Sequence, residues 1–165
     1  MLDALSALTR ALSRATLALS AAGLVAMTAI IFWQVFARFV LSDSPSWSEA
    51  AALTLMVWFV TLAAAVGVRE GFHIRLVALV EAMPAPVRKG VEIAAHLIVL
   101  GFGAMLAVQG AELVARTWAH AVPSLPITRG FAYLPLPVAG VLVVLFSLEH
   151  VLAALAGRKV EPLWN

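Results

Sequence analysis

Four stretches of this chain run without a charged side chain for long enough to cross a lipid bilayer. Ala15 to Ala37 is 23 residues, and Ala50 to Val68, Ile93 to Ala111 and Gly130 to Leu148 are 19 residues each. A spanning helix needs about 20 mostly apolar residues to traverse a hydrocarbon core about 30 Å thick. Composition points the same way: of 165 residues, 63% are hydrophobic and 12% charged, against roughly 45–50% and 25% in soluble domains. A soluble fold of this size buries only about 70% of its chain surface, too little to hide so much apolar area. A water-soluble globule and a disordered tail are both excluded.

The expected fold is therefore an all-α membrane protein, a single membrane domain over residues 1–165 with transmembrane helices at about 15–41, 47–68, 87–118 and 131–156. The first run is too long for the h-region of a signal peptide, and Arg38-Phe39-Val40 is a poor cleavage site, so it reads as a retained helix. Residues 1–14 place Leu5, Leu8 and Leu12 at helical spacing among Asp3, Arg10 and Arg14, the pattern of a short helix lying on the membrane surface. Between the second and third spans, His73 to Met83 is apolar but too short to span, and Pro84 stops it; it reads as an interfacial connector. Pro135 and Pro137 lead to the expectation that the fourth helix becomes regular only after them.

Lys and Arg divide unevenly between the two sides of these spans. One side carries Arg10, Arg14, Arg69, Arg75, Arg88, Lys89, Arg158 and Lys159, the other only Arg38, Arg116 and Arg129. The richer side faces the cytoplasm, which puts both termini there. Trp47, Trp118 and Tyr133 then lie at outer span ends, where amphipathic rings favour the interface. The net charge of +2 is scattered, with no run of four basic residues, so no nucleic-acid surface is expected. Absence of cysteine removes disulfides, thiolate nucleophiles and zinc–thiolate sites.

Polar groups within a membrane are costly and mark candidate sites. Gln34, His96, Gln109, Glu112 and Glu149-His150 are the main ones. Glu112 and Arg116, four apart near an outer span end, read as an interfacial ion pair. Gln34 and Gln109 read as amides bridging helices. His96 and His150 should lie at similar depth near the cytoplasmic side, where two imidazoles on facing helices are able to ligate a haem. Stripes of small residues, Ala18-Ala22-Ala26 and Gly103-Ala107-Ala111, let helices approach closely. No phosphate-binding loop, H-E-x-x-H or G-x-S-x-G motif is present, and no catalytic residue, metal site or cofactor is expected. Few polar groups, no broken helices and no internal repeat suit an accessory subunit better than an autonomous transporter.

The second span and its exit carry a resemblance. Ser44-Pro45-Ser46-Trp47-Ser48-Glu49 opens it, Trp58 follows, and Val68-Arg69-Glu70-Gly71-Phe72-His73-Ile74-Arg75 leaves it; Pro123 to Ile127 and Tyr133 to Pro137 precede the last helix. The chain resembles the small membrane subunit of TRAP (tripartite ATP-independent periplasmic) transporters, the DctQ-like family. It departs from the family pattern at Ala50, Ala63 and Val77, where an acid, a glycine and an acid are usual.

The resemblance implies a scaffold subunit of the bacterial inner membrane. It would pair with a large membrane subunit that carries the solute and coupling-ion sites, and help dock a periplasmic solute-binding protein. The implied solute is of organic-acid type. Trp47 would anchor the second helix, Glu49 would meet its positive dipole end, and His73 and Arg75 would sit at the inner headgroup level. Trp58, Arg69 and Tyr133 complete the interface candidates. Two other readings stay open at this point: a haem-binding electron carrier using His96 and His150, and a small transporter working alone.

Overall fold

The computed structural model describes residues 2–43, 45–71, 84–158 and 160–163, and each charge-free run lies within helix except for a one-residue step at Leu134. Helix α1 is Leu2–Val40, α2 Ser48–Arg69, α3 Ala85–Thr117, α4 Arg129–Tyr133 and α5 Pro135–Leu155. Among the described residues, four segments are long and apolar enough to span a bilayer: Asp3–Val40, Ser48–Arg69, Val87–Thr117 and Arg129–Leu155. The protein is an all-helical, multi-pass membrane protein. The interfacial connector expected between the second and third spans, with His73 and Arg75, lies outside the described residues.

Of the stretch read as a separate surface helix, residues 2–14 are helical and pass into the first span without a break, so α1 is a single rod of 39 residues. Nothing between Leu2 and Ala22 interrupts it, since that stretch holds neither Pro nor Gly. Helix α3 has 33 residues, about 50 Å at ~1.5 Å per residue. It exceeds the hydrocarbon thickness and must tilt or project.

The last span starts in two steps. Thr128 caps α4 by accepting the Phe131 N–H at 3.2 Å. Regular helix then resumes at Pro135 itself, not after Pro137 as the sequence led us to expect. Both prolines fall in the first turn, where the missing N–H has no intrahelical partner to lose. An antiparallel bridge between Ala121 and Thr128 pinches the preceding loop.

Helix α5 is the centre of the bundle. It packs on α3, α2 and α1, while α1 leans mainly on α2. Phe146 is fully buried, surrounded by Leu62, Ala65 and Val68 of α2 and by Ala139, Leu142 and Val143 of its own helix. Leu12 of α1 and Val99 of α3 close the cluster from either side. Lipid is as apolar as these side chains, so close fit rather than expulsion from water holds the helices together.

Gly140 shows how close that fit is: a Cβ there would lie 2.4 Å from the Ala107 nitrogen and 2.7 Å from its Cα. The Gly103-Ala107 stripe is thus spent inside the molecule, against α5. The Ala18-Ala22-Ala26 stripe is exposed, and α1 packs instead through Ser13, Ser20, Gly23 and Ala37.

Candidate functional site

A helix stop places the most unusual group in the molecule. Gly71 takes a left-handed φ of 73° and ends α2, leaving Arg69 and Glu70 at its last turn. Both are carried inward, not out to the headgroups: Arg69 and Glu70 have no exposed side-chain surface, and Glu149 of α5 is 3% exposed. Arg69 Nη1 lies 3.2 Å from Glu70 Oε1, and its Nε lies 3.2 Å from Glu149 Oε2. Such charges are expensive to desolvate and persist only when paired.

The two acids are supported unequally. Glu70 Oε1 also accepts from the Ser13 hydroxyl at 3.5 Å, and its Oε2 accepts the Leu163 backbone N–H at 2.8 Å. Glu149 has the ion pair alone; neither of its oxygens meets hydrogen-bond geometry among the described residues. The cluster therefore ties together α1, α2, α5 and the C-terminal tail. Formally, one buried guanidinium faces two buried carboxylates.

Next to it lie the two histidines. His150 Nε2 is 2.8 Å from the Arg69 carbonyl oxygen, which only accepts, so Nε2 carries the proton and donates. The ring of His96, on α3, stacks on that of His150 with centroids 4.4 Å apart and planes within 6°. Imidazole lone pairs lie in the ring plane, so stacked rings point along parallel planes. They do not converge from opposite sides on one iron, and no macrocycle fits between them. This pair does not suit the haem reading.

The other interface candidates fall elsewhere. Trp47 is exposed at the start of α2, and Glu49 is exposed in its first turn. Trp47 occupies the cap position without a side-chain cap bond; Ser48 instead donates to the Pro45 carbonyl at 2.8 Å. Trp58, midway along α2, meets the Phe131 ring at 5.2 Å, and its indole N–H is buried without a partner among the described residues. Tyr133 is half-buried at the end of α4. Only Arg69 among these belongs to the buried cluster; Trp47 and Glu49 stand at the opposite end of the same helix.

Glu112 and Arg116 form an exposed ion pair. Gln34 is half-buried and Gln109 exposed, with no hydrogen bond between helices from either among the described residues. Sequence reasoning did not anticipate Glu70, Ser13 and Leu163 as members of the cluster. Glu70 carried a signal, an acid in a chain with few charges, directly beside a basic residue. Ser13 and a backbone N–H of the tail carried none.

The cluster pins α1, α2, α5 and the tail to one another. The family described as "Tripartite ATP-independent periplasmic transporters, DctQ component" matches residues 27–157, which takes in α2, α3, α5 and the charged cluster apart from Ser13 and Leu163. The sialic acid TRAP transporter small permease protein SiaQ of Vibrio cholerae serotype O1 is 24% identical over 128 residues, covering 78% of this chain and 74% of its own. The C4-dicarboxylate TRAP transporter small permease protein DctQ of the same organism is 30% identical over 83 residues, covering 50% of this chain and 36% of its own. With most of its length matched and four spans in place, the chain belongs to the DctQ-component family of tripartite ATP-independent periplasmic transporters.

Proposed function

We propose that this chain is the small scaffold subunit of a TRAP transporter. It pairs with a large membrane subunit and helps to dock a periplasmic solute-binding protein, and the complex takes up an organic acid coupled to an ion. The family match over residues 27–157 carries this reading. The two named relatives serve sialic acid and C4-dicarboxylate transporters, both acidic solutes, which supports the solute class.

The bundle supports a fixed role, since its interior is filled by Phe146 and its neighbours and buried Arg69 bridges α2 to Glu149 of α5. The uneven division of Lys and Arg supports an inner-membrane orientation with both termini in the cytoplasm. Trp47 then anchors α2 at the periplasmic interface, and Glu49 is offered to a partner there. His73, Arg75 and Tyr133 serve as further contacts to the large subunit or to headgroups.

Affinity purification of the tagged chain from native membranes tests the reading. A many-span membrane protein should come with it, and vesicles should take up the solute only when both subunits and the binding protein are present. Uptake by this chain alone would overturn the proposal. Glu49→Gln should weaken recovery of the large subunit or uptake several-fold while leaving the purified chain helical; unchanged recovery and uptake would remove Glu49 from the interface.

A further inference from the structure

A pocket of about 410 Å³ opens where α1, α5 and the C-terminal tail meet, beside the buried ion cluster. Its lining includes Asp3, Ser6, Arg10, Glu149, Arg158 and Glu161. The charge-free runs end at Ala15 on α1 and Leu148 on α5, so this lining begins where hydrocarbon gives way to headgroups.

Its charges are mixed. Arg10 pairs with Glu161 at 2.8 Å and Arg158 with Asp3 at 3.0 Å. Both pairs are exposed and so are weakly held. Glu149 is different. It is buried, its only partner is an Arg69 shared with Glu70, and its Oε1 has none among the described residues. A buried carboxylate left this way is strongly disfavoured and calls for a donor. Among the described residues, the lining thus sets two loosely paired guanidiniums, Arg10 and Arg158, beside one under-partnered carboxylate, Glu149, so an anionic and a cationic group each find a counter-charge there.

We infer that this pocket binds an ammonium–phosphate zwitterion, the chemistry of a phosphatidylethanolamine headgroup and of free phosphoethanolamine. The ammonium donates to Glu149, and the phosphate sits between the guanidiniums of Arg10 and Arg158, drawing them from their exposed partners. This inference is independent of the scaffold reading, because it concerns a site within this chain alone.

Native mass spectrometry of the full chain with dioleoyl phosphatidylethanolamine, phosphatidylglycerol and phosphatidylcholine tests it. Phosphatidylcholine offers the same phosphate but no ammonium N–H. A charge-assisted hydrogen bond contributes about 1.5 kcal/mol or more, so phosphatidylethanolamine should be retained about tenfold better. Glu149→Gln should collapse that discrimination. Arg10→Gln and Arg158→Gln should weaken both lipids and leave their ratio intact. If Glu149→Gln does not fold, successive N-methylation of the headgroup on the unaltered protein gives the same readout as a stepwise fall.

Displacement by free phosphoethanolamine at equal concentration marks a soluble zwitterion as the ligand; retention against it marks the lipid. Equal retention of phosphatidylethanolamine and phosphatidylcholine, tighter retention of phosphatidylglycerol, or a preference that survives Glu149→Gln would overturn the inference.

Discussion

Arg69 is the residue on which the terminal end of the bundle turns. Its guanidinium is shared between two buried carboxylates, Glu70 and Glu149. Truncating one member of a buried pair leaves the other charged and unpartnered, at about 3–5 kcal/mol. Arg69→Ala should lower stability by that order in detergent unfolding. Adding Glu149→Gln should recover part of the loss, because the two residues act on one network. Strictly additive losses would show that the cluster is not coupled. Arg69 was legible in the sequence as a charge closing an apolar run. The network around it was not, because its partner Glu70 is held by Ser13, 57 positions from it, and by the Leu163 amide, 93 positions away. Local pattern carries no information about which distant backbone group returns to satisfy a carboxylate. The pairing of His96 with His150 was partly legible, since equal depth on two helices is readable; the stacking that separates it from a haem site was not.

At the scale of elements, close helix contact decides stability. Gly140 lies against Ala107 backbone, which cannot swing aside, whereas Gly101 has open space around its Cβ position. Gly140→Ala should therefore destabilise by about 1–3 kcal/mol, the usual cost of overpacking, and Gly101→Ala should be near neutral. Thermal unfolding of the two variants side by side checks the contrast; similar midpoints would mean α3 and α5 do not meet as described. The four spans themselves were plain from charge-free length. The continuity of α1 was not, because Asp3, Arg10 and Arg14 gave its first turns a surface pattern indistinguishable from that of a separate helix. The start of α5 was misjudged because prolines usually mark a boundary, while here they occupy the one turn that tolerates them. Of the two small-residue stripes, sequence gave no means to tell that one is buried in the bundle and the other left outside.

At the scale of the molecule, both chain ends gather at one side. Arg158 reaches Asp3, and Glu161 reaches Arg10. The chain contains no cysteine, so single introduced cysteines report topology cleanly. Ala4→Cys and Ala156→Cys should react alike with a membrane-impermeant thiol reagent applied from one side, and Ala119→Cys only from the other. Any split between the first two would contradict the shared end. Removing residues 158–165 should lower stability by about 1–3 kcal/mol, chiefly because a Glu70 oxygen loses its N–H donor; the exposed ion pairs add little. An unfolding midpoint equal to that of the intact chain would show the tail to be a passive appendage.

That meeting of the two ends has a practical side for anyone handling the protein. A purification tag on either terminus would crowd the same seam, strain the Leu163 amide's hold on Glu70 and compete for the pocket between α1 and α5. A short insert in the pinched turn between Ala121 and Thr128, on the far side, would leave that seam undisturbed. Where an engineer attaches a handle thus decides whether the native lock is seen or its opened form.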